Sequence, residues 1–149
     1  MSAIHGLFAR GDVPVLEKAM AFYEKRHAVI ASNIANASTP FYRPRDLDEG
    51  EFNRLLREAV RARDANGGGS GHRSFSLGRS DSFSLDGQGN LQARSFAVKE
   101  GQVRHDGNSF SVERQMARLA DNTLAYQRTA QLLEGSFKMI EMAIRGRAG

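Results

Sequence analysis

Two runs of apolar residues, one near each end of the 149-residue chain, constrain the fold more than any other feature. The first places Val13, Leu16, Met20, Tyr23, His27, Ile30, Ile34 and Ala37 at alternating steps of three and four. The second does the same with Val112, Met116, Leu119, Thr123, Tyr126, Ala130, Leu133, Phe137, Ile140 and Ile144. Such a period is that of a helix presenting a continuous seam to a partner helix. The first helix is expected over 13–39. Pro14 suits its first turn, and Ser38-Thr39-Pro40 stops it because proline lacks an N–H and pushes the preceding residue out of helical geometry. The second, over 111–146, has Ser111 as N-cap, and Arg145-Gly146 places a cation and then a glycine where the dipole and a left-handed cap favour them. At 1.5 Å per residue the two helices span roughly 37 and 50 Å.

The intervening region, 40–110, carries weaker signals. Phe52, Leu55, Leu56 and Val60 form the stripe of a short amphipathic helix at about 47–63. A Gly-rich linker follows at 64–71. Paired apolar residues at Phe75 and Leu77, Phe83 and Leu85, and Phe96 and Val98, around the turn-forming residues 86–90, suggest a β-hairpin within 74–99. Residues 1–12 read as a flexible extension. The expected fold is therefore mainly α: two long terminal helices in an antiparallel heptad coiled coil, with a short helix and a Gly-rich, weakly β or irregular middle. The ends are expected to bury the core and the middle to be poor in one.

The helix faces imply partners. Residues 137–144 are apolar nearly all round, with Lys138, Glu141 and Arg145 sharing a single polar stripe. Small Ala19, Ala21, Ala28, Ala31 and Ala35 in the first helix permit close approach. One chain of this size cannot cover both helices, so assembly through them is expected. Within the chain, Met20, Tyr23, Ile30 and Ile34 are expected to face Tyr126, Leu133, Phe137 and Ile140.

Other function classes lack their chemistry. The net charge is +4, but no segment carries more than two basic residues in excess of its acidic ones, so no stripe can track phosphates and no nucleic-acid partner is expected. There is no cysteine. His5, His27, His72 and His105 show no ligand spacing, so no metal site is expected, and His27 reads as a seam residue. Gly67-Gly68-Gly69 is not followed by the lysine of a phosphate-binding loop. Asp46, Asp48, Glu49 and Glu51 are flanked by Arg43, Arg45, Arg54 and Arg57 and read as a salt-bridged helix start, not a calcium loop. Nothing combines a nucleophile, a base and an oxyanion site. No catalytic residue, cofactor or small-molecule substrate is expected. Met1 to Gly11 has no apolar run long enough for a signal peptide, and no stretch is long enough to span a bilayer.

The stretch Ala31-Ser32-Asn33-Ile34-Ala35-Asn36-Ala37-Ser38-Thr39-Pro40-Phe41-Tyr42-Arg43 closely resembles the N-terminal signature of flagellar rod, hook and hook-associated proteins. Arg45-Asp46-Leu47-Asp48, Asp106-Gly107-Asn108, and Leu119-Ala120-Asp121-Asn122-Thr123-Leu124-Ala125-Tyr126-Gln127 are similar to the basal-body rod subunits, the proximal ones in particular. The resemblance implies a non-enzymatic structural subunit of the proximal rod, exported unfolded through the flagellar type III apparatus without a cleaved signal peptide. Implied partners are further copies, other rod proteins, and the basal adaptor and export-gate proteins. The competing reading of the same helices is a helical-hairpin adaptor or secretion chaperone. The family usually has glycine where this chain has Phe41, so the turn there cannot use a positive φ cheaply and a different shape is expected.

Overall fold

The computed structural model describes residues 13–65, 75–98 and 111–146. Residues 1–12, most of the expected linker and the turn at 106–108 lie outside them, as do His5, His72 and His105. Among the described residues the fold is mainly helical, with two long terminal helices and two small sheets: α1 (Val13–Ala35), β1 (Arg45–Asp46), α2 (Glu49–Ala65), β2 (Phe83–Leu85), β3 (Leu91–Ala93), β4 (Phe96–Ala97) and α3 (Val112–Arg145).

The helix ends follow local chemistry. Ser111 caps α3, its side chain accepting from the Arg114 N–H at 3.4 Å. Asp48 caps α2, its Oδ1 accepting from the Glu51 N–H at 2.8 Å, with Glu49 and Glu51 against the positive end of the helix dipole. Gly146 closes α3 differently from the expected left-handed cap: it stays right-handed at φ −68° and its N–H reaches the Ile144 and Met142 carbonyls. The last turn is thus satisfied by continuing the helix, and the freedom of glycine is not used.

The core overturns the expectation that the middle is poor in one. Phe22 from α1, Phe52 from α2 and Phe83 from β2 converge, with Leu47, Leu55, Ala59, Leu77 and Leu91 around them. The Phe22 and Phe52 rings stack at 4.2 Å, and Phe83 lies 5.6 Å from Phe52 in an edge contact. The glycine count of the middle hides this, because only a few large residues are needed when three elements aim them at one point. Phe22 stands off the expected seam, so α1 turns one face to this core and another to α3.

β2 and β3 pair antiparallel, with Phe83 opposite Ala93 and Leu85 opposite Leu91. Asp86 shapes their turn: Oδ1 accepts from the Gln88 and Asn90 N–H groups, Oδ2 from the Asn90 and Gln92 amides, and Gly89 takes a φ of +83°. Lys18 of α1 ties the turn down by donating to the Gly89 carbonyl at 2.6 Å. Phe96 leaves this hairpin, since β4 pairs instead with β1, Arg45 opposite Ala97 and Asp46 opposite Phe96.

Candidate functional site: the signature turn and the α1–α3 face

Asn33 is buried, 1% exposed, at the last turn of α1. Its Nδ2 donates to the Arg45 carbonyl at 2.7 Å and to Gln115 Oε1 of α3 at 3.1 Å. Its Oδ1 accepts from the Tyr42 hydroxyl and the Arg45 N–H, both at 3.0 Å. Two donors and two lone pairs are the full capacity of an amide, and all are used. One side chain therefore joins α1, the turn after it, β1 and the start of α3. Asn36 donates to the Ser32 carbonyl at 2.8 Å and so bonds within the helix end.

The turn itself corrects the expectation for Phe41. The Tyr42 N–H donates to the Thr39 carbonyl at 3.2 Å, with Pro40 second and Phe41 third, and Phe41 has a φ of +59°. That is the residue order of a type II turn, which requires a positive φ at its third position and normally places glycine there. The bonds on either side impose the conformation on Phe41, whose ring is left 83% exposed. Thr39, Pro40 and Arg43 are exposed as well, whereas Pro44 is buried.

On α3, Asn122 donates to the Tyr23 carbonyl of α1 at 2.9 Å. The two amide bridges, 33 with 115 and 23 with 122, show that α1 and α3 run in opposite senses. The residues of α3 buried within the chain are Gln115, Asn122 and Thr129, seven apart and all polar. The expected seam residues sit beside this stripe. Leu119, Leu133 and Ile140 are half-buried; Met116, Tyr126, Phe137 and Ile144 are exposed, Met116 to 58%. In α1, Val13 and Ile30 are buried, Leu16, Met20, Tyr23 and Ile34 half-buried, and His27 exposed. Met20 lies with Leu133 and Phe137 around one cleft, and Tyr23 with Tyr126 around another. Of the remaining signature residues, Ala35, Ala120, Asp121 and Gln127 are exposed.

Gln115 and Thr129 escaped the sequence reading because apolar periodicity ignores polar residues. Their spacing of seven through Asn122 was the available signal, since polar residues do occupy single seam positions. In the acidic cluster Glu51 pairs with the flanking Arg54 at 4.0 Å, as expected, whereas Asp46 and Glu49 find a different partner. Arg26 of α1 grips Asp46 through Nε at 3.0 Å and Nη2 at 3.2 Å, and its Nη1 reaches Glu49. Burial alone would lower the Arg26 pKa, but hydrogen bonds and charge from Asp46 and Glu49 outweigh it and raise the value. Burial, helped by the Glu49 charge and opposed by Arg26, also raises the Tyr23 phenol. These groups fasten β1 and α2 to α1. Among the described residues, no group of three or more His, Asp or Glu could hold a metal ion, and no helix is long and apolar enough to cross a membrane.

No protein-family model matches the chain. It is 31% identical over 139 residues to the flagellar basal body rod protein FlgB of Cereibacter sphaeroides, covering 92% of this chain and 96% of that protein. It is 30% identical over 132 residues to that of Yersinia ruckeri (86% and 89% covered) and 27% identical over 136 residues to that of Aquifex aeolicus (91% and 94%). With relatives 30 to 31% identical and matched over 86 to 92% of its length, the chain belongs to the FlgB family of flagellar basal body rod proteins.

Proposed function

We propose that this chain is a non-enzymatic structural subunit of the proximal rod, assembled through its two terminal helices. The observation that carries this reading is the face of α3 that its own chain leaves uncovered. Leu132, Met139 and Met142 are 62%, 64% and 63% exposed, and Ile144 lies beyond them on the last turn. Burying a side chain of this kind is worth roughly 1.5 to 3 kcal/mol, so a stripe of them favours coverage by neighbouring helices. In the assembly the seam residues Leu16, Met20, Tyr23, Ile30 and Ile34, with Met116, Leu119, Tyr126, Leu133, Phe137, Ile140 and Ile144, complete heptad packing of coiled-coil type within and between chains.

The partners in this reading are further copies, other rod proteins, and the basal adaptor and export-gate proteins at the base. The subunit leaves the cytoplasm through the flagellar type III apparatus without a cleaved signal peptide and takes its place in the periplasmic part of the axis. The reading is tested with Ile140→Asp, which puts a carboxylate into the half-buried seam, against Lys138→Asp on the polar stripe. Export should be equal for both. Basal bodies counted by electron microscopy should lose their rods only with Ile140→Asp. Rods formed normally by Ile140→Asp, or equal damage from both changes, would sink the proposal. An adaptor or chaperone would be absent from purified basal bodies.

A further inference from the structure

Phe41 contributes little to its own subunit. Its ring is the most exposed of the large apolar side chains among the described residues, and its backbone is held in a conformation that bulky residues rarely adopt. A strained position of this kind points to a role elsewhere. The turn is braced by the Tyr42 N–H on the Thr39 carbonyl and by the Tyr42 hydroxyl on Asn33, so the ring is presented already fixed in place.

A second feature lacks a partner. Between α1 and α3 lies a cleft of about 260 Å³ lined by Tyr23, Glu24, His27, Asn122, Thr123 and Tyr126. Asn122 is 2% exposed, yet its Oδ1 accepts no hydrogen bond. A buried acceptor in that state is costly unless a donor arrives. The volume suffices for a phenyl ring, since a cavity of roughly 150 Å³ admits benzene. Among the described residues Glu24, exposed at the rim, forms no ion pair, and neither does Arg43, exposed two residues after Phe41.

We propose that Phe41 of one copy seats in the Tyr23–His27–Asn122–Tyr126 cleft of a second copy, with Arg43 against Glu24 at the rim. The inference rests on the rod reading above. Ser38, exposed on the same turn, brings a hydroxyl donor for Asn122 Oδ1. Within its own chain the ring is 83% exposed and does not line the cleft. Knob and socket are different surfaces of one chain, so the contact is heterologous and repeats into an open helical array instead of closing a dimer.

The test places a photoactivatable phenylalanine analogue at position 41 and irradiates purified basal bodies. The expected product links position 41 to His27, or to the tryptic peptide 119–128 or 19–25, of another copy, and the link is lost with Asn122→Lys. In parallel, Phe41→Asn relieves the backbone while removing the ring, so the melting temperature of the isolated chain does not fall but rods are lost. Rods that contain the chain but give no such link, or a link to a different protein or a different part of the chain, would overturn the proposal and leave the rod reading intact. Full rod formation by Phe41→Asn would also overturn it. A chain absent from basal bodies altogether would overturn both readings.

Discussion

The subunit has two interiors built on opposite principles. Around Phe22, Phe52 and Phe83 the core is aromatic and closed by α1, α2 and the β2–β3 hairpin. Between α1 and α3 the most buried positions of α3 are Gln115, Asn122 and Thr129, while its apolar residues point to the sides. In the first region Phe22, Phe52, Phe83, Leu55 and Leu91 are covered within one chain. The second uses amides to fix how α1 and α3 lie and leaves its hydrophobic surface uncovered. The difference teaches that the middle closes the core of the subunit, whereas the terminal helices keep apolar surface exposed, as the proposed assembly requires.

The comparison breaks most visibly at Phe52, which is 1% exposed and stacked on Phe22. Phe52→Ala should cost about 3 to 5 kcal/mol, measured by urea denaturation of the isolated chain. A loss no larger than that of a surface change would mean the aromatic cluster is not the core. Asn33→Ala comes next. It strips partners from the Arg45 backbone, the Tyr42 hydroxyl and Gln115 at once, and leaving such a group unsatisfied costs about 1 to 3 kcal/mol. Hydrogen exchange should show the Arg45 amide losing protection, and an unchanged exchange rate there would contradict the role given to Asn33.

A smaller effect sharpens the picture of the hairpin. Hydrogen bonds from the Asn90 backbone and side chain, aided by Gln88 and Gln92, hold Asp86 below its ordinary value of 3.8. Because the folded value is depressed, the carboxylate stabilises the turn above that ordinary value, and its contribution is lost as pH falls through the lower folded value. Asp86→Asn should flatten that part of the acid stability profile, followed by circular dichroism from pH 5 downward. An acid profile identical to that of the unaltered chain would show that the turn does not depend on the charge.

How much of this was legible in the sequence divides along the same line. The two long helices were readable because alternating steps of three and four are a local property, and Pro14 and Ser111 mark their starts, although α1 ends at Ala35, short of the expected 39, where Asn36 takes the Ser32 carbonyl. The signature containing Asn33 was readable as a resemblance, but its four bonds were not, because Arg45 and Gln115 are brought to it by the fold. The aromatic core was missed for the same reason: Phe22, Phe52 and Phe83 lie some thirty residues apart and only tertiary structure assembles them. Phe41 was misread because neighbouring bonds overrode the steric preference of one residue. The pairing of Arg26 with Asp46 and Glu49 was hidden behind nearer arginines, of which Arg54 pairs with Glu51 and Arg45 turns to Ser95.

The central claim is that stability and assembly reside in different surfaces, and Met139→Asp tests it most directly because Met139 is exposed in the single chain. The melting temperature of the purified subunit and the count of rods in basal bodies should be measured on the same variant. A surface change of this kind shifts stability by about 0.5 kcal/mol or less, so the melting temperature should hold while the rods disappear. Rods in normal number, or a melting temperature that falls together with them, would contradict the account.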